Sequence, residues 1–441
     1  MESSKLRDTA ARAAVARQAM LALTNKRRTK ILYSIAHEIE RRRTEILAAG
    51  ALDIADAEAA GLPASAIASI AVTDHKLSLL IRDIMTIADM PDPFAAPLGD
   101  WRRPNGLQVI RRRVPVGLVG LALEWRPHVV AIAAAICFKS GNALMIAAGG
   151  GGARTAEAFA TAVRAGGAAE KLPEDAFQFA RAEDGGHLEA CREMLSLSGL
   201  VSIGIVRGGA GFVEALASTA KVPILKHSSG LCHIYIDCDR LKPGIDPASA
   251  ELPRDLAPVD LDSAVNVAIN SRLYESHGCT AANIVYAHKD VAARLIPKLA
   301  AKCLLEGVEL RGDAAALAIA PEIEPAAGDE WTVPQGDNVL AVGIVDSLEA
   351  AIEAINKNGS HISDVIISED DAAIEAFTLG VDSAAVYANA SSCFTHGGEL
   401  GLGADIGIST DKLGARGPIT YFDLTTAKYV ILGTGQTRVK A

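Results

Sequence analysis

The sequence predicts an α/β protein built from two domains, each a mostly parallel sheet covered by helices, facing one another across a cleft. From residue 107 onward, short β-branched runs alternate with helical stretches, which is the rhythm of βαβ units. The chain has 441 residues, more than one hydrophobic core usually organises. A stretch at 243–260, carrying Pro243, Pro247, Pro253 and Pro258, interrupts the alternation and reads as a linker or crossover.

Residues 4–60 are rich in Ala, Leu, Arg and Glu, and Ile31, Leu32, Ile35 and Ile39 are spaced for one helical face. A second helical stretch covers 74–90, where Pro91 and Pro93 stop it. Strand is predicted over 107–123, helix from Val129, strand over 143–147 and helix from Arg154. The alternation continues through 177–180, 189–197, 203–206 and 211–218, and resumes after the linker with a helix at 261–273. Gly278-Cys279 then leads to a strand at 283–286, and further alternation follows. A buried strand is expected at 384–386, before Asn389, Ser391, Ser392 and the glycines 397, 398, 401 and 403, which permit close backbone approach to a ligand. No internal repeat or low-complexity tract is evident.

The formal charge of −10 disfavours nonspecific binding to nucleic acid or to an anionic membrane. Arg111, Arg112 and Arg113 form the one dense basic run after the N-terminal helix and read as a solvated strand edge. Apolar runs such as 129–138 are too short to span a bilayer. Seven scattered cysteines, at 137, 191, 232, 238, 279, 303 and 393, include no CxxC pair, which fits reduced thiols in a cytoplasmic protein.

Cys279 stands in a Ser-His-Gly-Cys-Thr turn between a predicted helix and strand. Its thiol reads either as a nucleophile or as a small buried core residue, the default for the other six. His277 would lower the thiol's pKa if its imidazolium faced it. His233 and His396 lack metal-ligand spacing and read as hydrogen-bonded residues, so no metal is expected. The Gly149-Gly-Gly-Gly152 turn before a helix reads as a phosphate cradle or as a plain strand-to-helix connection. The turn Arg207-Gly-Gly-Ala-Gly211 carries the same pair of readings.

Residues 381–418, VDSAAVYANASSCFTHGGELGLGADIGISTDKLGARGP, resemble the C-terminal signature of the glutamate-5-semialdehyde dehydrogenases, or γ-glutamyl phosphate reductases, a branch of the aldehyde dehydrogenase superfamily. Segments beginning at Val114 (VPVGLVG), Glu124 (EWRP), Lys139 (KSGN), Arg207 (RGGAG) and Gly230 (GLCHIYID) match the same family in order. The resemblance implies an aldehyde dehydrogenase-like fold and reduction of L-glutamyl 5-phosphate by NADPH, with NAD as the alternative cofactor, in proline biosynthesis. It makes Cys279 the nucleophile, with its own N–H and His128 as oxyanion donors; His128 stands where the family has an amide. It assigns the cofactor to Lys139, Ser140, Gly141, Asn142, Gly149, Gly150, Gly151, Gly152, Arg207, Gly208 and Gly209 along the carboxyl edge of a sheet. Glu399 and Arg416 are expected to touch substrate or order a loop, with a structural ion pair as the other reading.

The resemblance also implies a β-arm, over 107–114 and 429–439, that pairs with a neighbouring subunit in a homodimer or dimer-based oligomer. The expected domains are 1–256 for the dinucleotide, with arm residues near 100–114, 257–395 for catalysis, and 396–441 as a return segment and arm. Three departures from the family stand out: Ala147, Ala148 and four glycines where Arg and Lys are usual, Glu275-Ser276 in place of Arg-Pro, and Thr280-Ala-Ala-Asn283 in place of an Asn-x-x-Glu-like run. These leave open a related aldehyde or acyl oxidoreductase with a different small-molecule substrate, and a catalytically silent paralogue with a binding role.

Overall fold

The computed structural model describes residues 5–181, 186–227, 229–237, 260–276, 278–336 and 338–438. His277, Cys238, Val439 and nearly all of the 243–260 linker lie outside them. The chain divides into two compact units, Met1–His227 with His396–Ala441, and Ser228–Thr395.

The first unit begins with α1 (Lys5–Leu21), α2 (Asn25–Arg41), α3 (Arg43–Ala59), α4 (Ala64–Ile70) and α5 (Asp74–Asp89). Thr24 caps α2 by accepting from Arg27 N–H, and Ile31, Leu32, Ile35 and Ile39 are fully buried on one face. Strands β1 (Gly99–Arg102) and β2 (Gln108–Pro115) precede β3 (Leu118–Glu124), α6 (Val129–Lys139), β4 (Ala143–Gly149), α7 (Ala153–Ala169), β5 (Phe177–Arg181), α8 (His187–Ser196), β6 (Ile203–Arg207), α9 (Ala210–Ala217) and β7 (Ile224–His227). The parallel sheet has the order β5-β4-β3-β6-β7. Helices α2, α5, α6 and α7 supply the core on one face, and α1, α8 and α9 the core on the other. Every residue of α6 is buried, which is why its sequence is apolar all round.

The strand predicted over 107–123 is two strands in two sheets. The break falls at Gly117, whose φ is 127°, and a Cβ there would lie 2.5 Å from Ser202 Oγ.

The second unit contains β8 (Cys232–Ile236), α10 (Leu261–Leu273), β9 (Ala282–His288), α11 (Lys289–Glu306), β10 (Glu309–Gly312), α12 (Ala314–Ile319), β11 (Glu324–Pro325), β12 (Val339–Val345), α13 (Leu348–Asn358), β13 (Ser363–Ile367), α14 (Asp371–Gly380) and β14 (Ala385–Ala388). Its parallel sheet is ordered β11-β10-β12-β9-β8-β13-β14. The unit starts before residue 257 because β8 pairs with β9 and β13, which draws residues upstream of the linker into this sheet. The strand expected to be buried at 384–386 is the half-buried edge strand β14, paired only with β13.

The chain then returns to the first unit through β15 (Ile408–Ser409), β16 (Gly417–Pro418) and β17 (Thr425–Leu432). Ile406, Ile419, Tyr421 and Leu424 join the same core as Ile31 and Leu32. Strand β17 pairs antiparallel with β2 in a small sheet ordered β1-β2-β17, where Trp101 meets Tyr429 edge to face at 6.3 Å. Arg111 and Arg112 project from β2 into solvent.

Candidate active site

Cys279 follows α10 in the turn that enters β9, and it is partly exposed. Burial pushes the thiols of Cys191 and Cys303 up to about 12 and raises those of Cys137, Cys232 and Cys393 as well. Among the described cysteines, Cys279 is the one that is not buried.

Buried polar contacts brace this turn from three sides. The Cys232 thiol donates to the Cys279 carbonyl at 3.3 Å, and Ser392 Oγ donates to the Thr280 carbonyl at 2.6 Å. Ser392 is placed in turn by its own N–H, which donates to Ser271 Oγ at 3.2 Å. Asn283 Nδ2 donates to the carbonyls of Ala281 and Gly230 at 2.9 and 3.3 Å, while its Oδ1 accepts from Gln335 N–H and from Arg272 at 3.0 and 3.3 Å. Gly230 runs so close that a Cβ on it would lie 1.6 Å from the Cys279 carbonyl oxygen. Glu275 folds back on the same turn, with Oε2 3.0 Å from where a Gly278 Cβ would stand.

In the first unit, strand order reverses between β3 and β6, so the loops leaving their carboxyl ends form the switch point at which doubly wound sheets hold dinucleotides. Glu124 ends β3, and its Oε2 accepts from Gly209 N–H at 2.9 Å, bridging to the Arg207-Gly208-Gly209 loop. Trp125 and Arg126 both adopt left-handed backbone, with φ of 59° and 52°. The Trp125 ring thereby lies over Gly151, where a Cβ would meet it at 2.5 Å. On the other side, His187 fills the space beside Gly149 and stacks on Phe212 at 5.1 Å. His128 follows Pro127 as the N-cap of α6. Burial, then Arg126, Arg207 and Lys76, lower its pKa to about 3, so the ring is a neutral N–H donor at neutral pH. Arg207 Nη1 lies 3.0 Å from a Cβ placed on Gly407, so its guanidinium turns toward the return segment.

Two sequence expectations need correction. Lys139, Ser140, Gly141 and Asn142 stand at the amino end of β4, opposite to the carboxyl edge, and are buried. Asn142 accepts from Gly117 N–H and donates to Ser140 Oγ and the Leu424 carbonyl, each at 2.8 Å, and Lys139 Nζ donates to the Ala88 carbonyl at 2.9 Å. This segment fastens the sheet to the return segment, and a dinucleotide at the carboxyl edge is out of its reach. The second correction concerns the N-terminus of α7, read as a phosphate cradle or as a plain strand-to-helix connection. A buried carboxylate already holds it: Asp53 accepts from Arg154 N–H at 3.3 Å, and from Thr155 N–H and Oγ1 at 2.8 and 2.6 Å.

Glu399 and Arg416 are exposed residues of the return segment. His233 is buried and hydrogen-bonded through Nδ1 to Asp364 at 2.8 Å, and His396 lies 3.7 Å from Asp405. Among the described residues, no three metal-ligating side chains gather. No described helix is long and apolar enough to cross a membrane.

Gly150 is exposed, with no atom nearer than 3.6 Å to the place a Cβ would take, so it is the part of the glycine turn whose backbone stays open to a ligand. Sequence reasoning passed over Asp53, Trp125, His187, Arg272 and Asn283 as parts of these arrangements. Asn283 left a trace as an unexpected residue after the thiol, and Trp125 as a member of the Glu124–Pro127 match.

No family model matches the chain. A γ-glutamyl phosphate reductase of Symbiobacterium thermophilum is 37% identical over 442 residues, covering 97% of this chain and 99% of that protein. The crystal structure of γ-glutamyl phosphate reductase from Thermotoga maritima gives a TM-score of 0.87 at 31% identity, covering 99% of this chain and 100% of that one. An acetylating aldehyde dehydrogenase from Geobacillus thermoglucosidasius shares the fold alone, with a TM-score of 0.67 at 16% identity over 99% of this chain and 98% of that one.

Proposed function

The chain belongs to the γ-glutamyl phosphate reductase family, oxidoreductases of proline biosynthesis, and from that premise we propose that it reduces L-glutamyl 5-phosphate to L-glutamate 5-semialdehyde with release of phosphate. The observation that carries the reading is the partly exposed Cys279 on a turn fastened by Cys232, Ser392 and Asn283. The Cys279 thiolate attacks the acyl carbonyl, the carbon–oxygen bond to phosphate breaks, and the acyl group remains as a thioester. A bound reduced nicotinamide, NADPH in the reading taken from the resemblance, supplies the hydride. The Cys279 N–H holds the oxyanion of the resulting thiohemiacetal, and the resemblance assigns neutral His128 as the second donor. Collapse of that oxyanion expels the Cys279 thiolate and frees the aldehyde.

The same reading takes the protein as a cytoplasmic homodimer or dimer-based oligomer. Exposed Tyr429, Ile431 and Leu432 on β17 are the surface proposed for the partner.

The test is phosphate-dependent reduction of NADP and of NAD by the purified protein with glutamate 5-semialdehyde, beside Cys279→Ala. Turnover that survives in the variant removes the thioester route. The position of Glu275 beside Gly278 supports a second reading, in which the acyl group carries no negative charge. A screen of neutral and cationic aldehydes against glutamate 5-semialdehyde separates the two.

A further inference from the structure

In a doubly wound sheet, the strand beside the one at the switch point ends where the 2′ position of the adenosine ribose is read, by an acid for a hydroxyl or by Arg for a phosphate. Here that strand is β4, next to β3, and residues 147–152 at its end are Ala, Ala and four glycines, without charge. The first cation beyond them, Arg154, is already paired with Asp53 at 3.3 Å and Asp56 at 2.5 Å. The positive end of α7 is likewise engaged by the Asp53 carboxylate. Glu124, opposite Gly149 in the β3–β4 ladder, has its Cγ 3.6 Å from a Cβ placed on Gly150, while its carboxylate is engaged by Gly209 N–H on the other side.

We infer that this chain takes NADH in preference to NADPH, because the end of β4 carries no charged residue through position 152 and the N-terminus of α7 beyond it is already held by Asp53. The inference rests on the proposed reductase activity and replaces the donor that the resemblance supplied. A ribose hydroxyl, carrying no charge, needs neither a cation nor a free helix N-terminus.

The glycine turn also shows where a cation can be restored. A Cβ at Gly149 would meet His187 at 2.3 Å and one at Gly151 would meet Trp125 at 2.5 Å, whereas at Gly150 the nearest atom is 3.6 Å away.

The experiment titrates the purified protein with NADH and with NADPH, followed by nicotinamide fluorescence, and repeats both titrations with Gly150→Lys, Arg154→Ala and Arg181→Ala. Arg181 is included because it ends β5 opposite Ala148. Wild-type protein should bind NADH at least about tenfold more tightly than NADPH. Gly150→Lys should narrow that ratio by tightening NADPH, and the two Arg→Ala changes should leave the ratio as it is. The melting temperature of Gly150→Lys controls for its φ of 77°. NADPH binding as tight as NADH binding in the wild type overturns the inference, as does selective loss of NADPH on removing either arginine. Binding of neither nicotinamide takes down the reductase reading itself, and this inference with it.

Discussion

The Cys279 turn and the Gly149–Gly152 turn both depart from the family pattern, and the fold treats the two departures differently. Around the thiol, Asn283 stands in a run where the family has an acid, yet its amide is fully engaged with Ala281, Gly230, Gln335 and Arg272. At the glycine turn, the space left by missing side chains is filled by Trp125 and His187, and no described contact restores the charge. A change rebuilt in hydrogen bonds keeps the geometry of its turn. One rebuilt in ring contacts keeps the shape and leaves the charge different.

The sharpest way to break this comparison is Cys279→Ala. It should lower kcat by more than about a thousandfold while leaving nicotinamide binding unchanged in a fluorescence titration. Dinucleotide binding that vanished with the thiol would mean that the two turns do not act separately. Next comes Gly230→Ala, which forces a methyl group into the Cys279 carbonyl. A loss of about a hundredfold in kcat, with little change in cofactor affinity, is expected from kinetics beside titration.

Asn283→Ala sharpens the account of the bracing. It should cost about 2–3 kcal/mol in denaturant unfolding and lower kcat about tenfold, since Arg272 and the Gly230 carbonyl both lose a partner. Full activity together with full stability would leave the bracing without effect.

Asn142→Ala tests the corrected half of the cofactor set. The expected outcome is a loss of about 3 kcal/mol of stability with an unchanged nicotinamide dissociation constant, because three buried hydrogen bonds disappear far from the carboxyl edge. A weakened cofactor at unchanged stability would return Asn142 to the site.

The smallest effect is a flat one. With a folded pKa of about 3, His128 stays neutral from pH 5 to 8, so the pH profile of kcat should show no inflection there that His128→Asn removes. Because the folded value lies below the ordinary imidazole value of 6.5, the unfolded chain takes up a proton that the folded ring refuses. Stability contributed by this ring is present above pH 6.5 and is lost as pH falls from there toward 3.

The alternation of strands and helices was legible because buried parallel strands are apolar runs bounded by turn residues, as β4 and β9 are. The turn carrying Cys279 between a helix and a strand was legible as well, since α10 and β9 flank it. What could not be read depends on partners distant in the chain. Asp53 reaches Thr155 across 102 residues, and nothing near position 53 marks it as the cap of α7. The segment 139–142 was assigned to the carboxyl edge by the motif match alone, although the strand predicted at 143–147 already put it at the amino end. Gly117 broke a predicted strand because the chain must leave the small sheet after β2 to enter the large one as β3.

The first unit needs both ends of the polypeptide, and this has a consequence for its synthesis. All strands of the second unit's sheet are synthesised before residue 396, while the small β1-β2 sheet of the first unit is still waiting for β17. At ordinary translation rates, making residues 228–395 takes roughly 10 to 30 s, during which Ile31 and Leu32 lack the Ile419, Tyr421 and Leu424 that will cover their core. A nascent chain at that stage presents an unfinished apolar surface that a chaperone can hold. A premature stop after residue 395 would remove part of the core to which Ile31 and Leu32 belong.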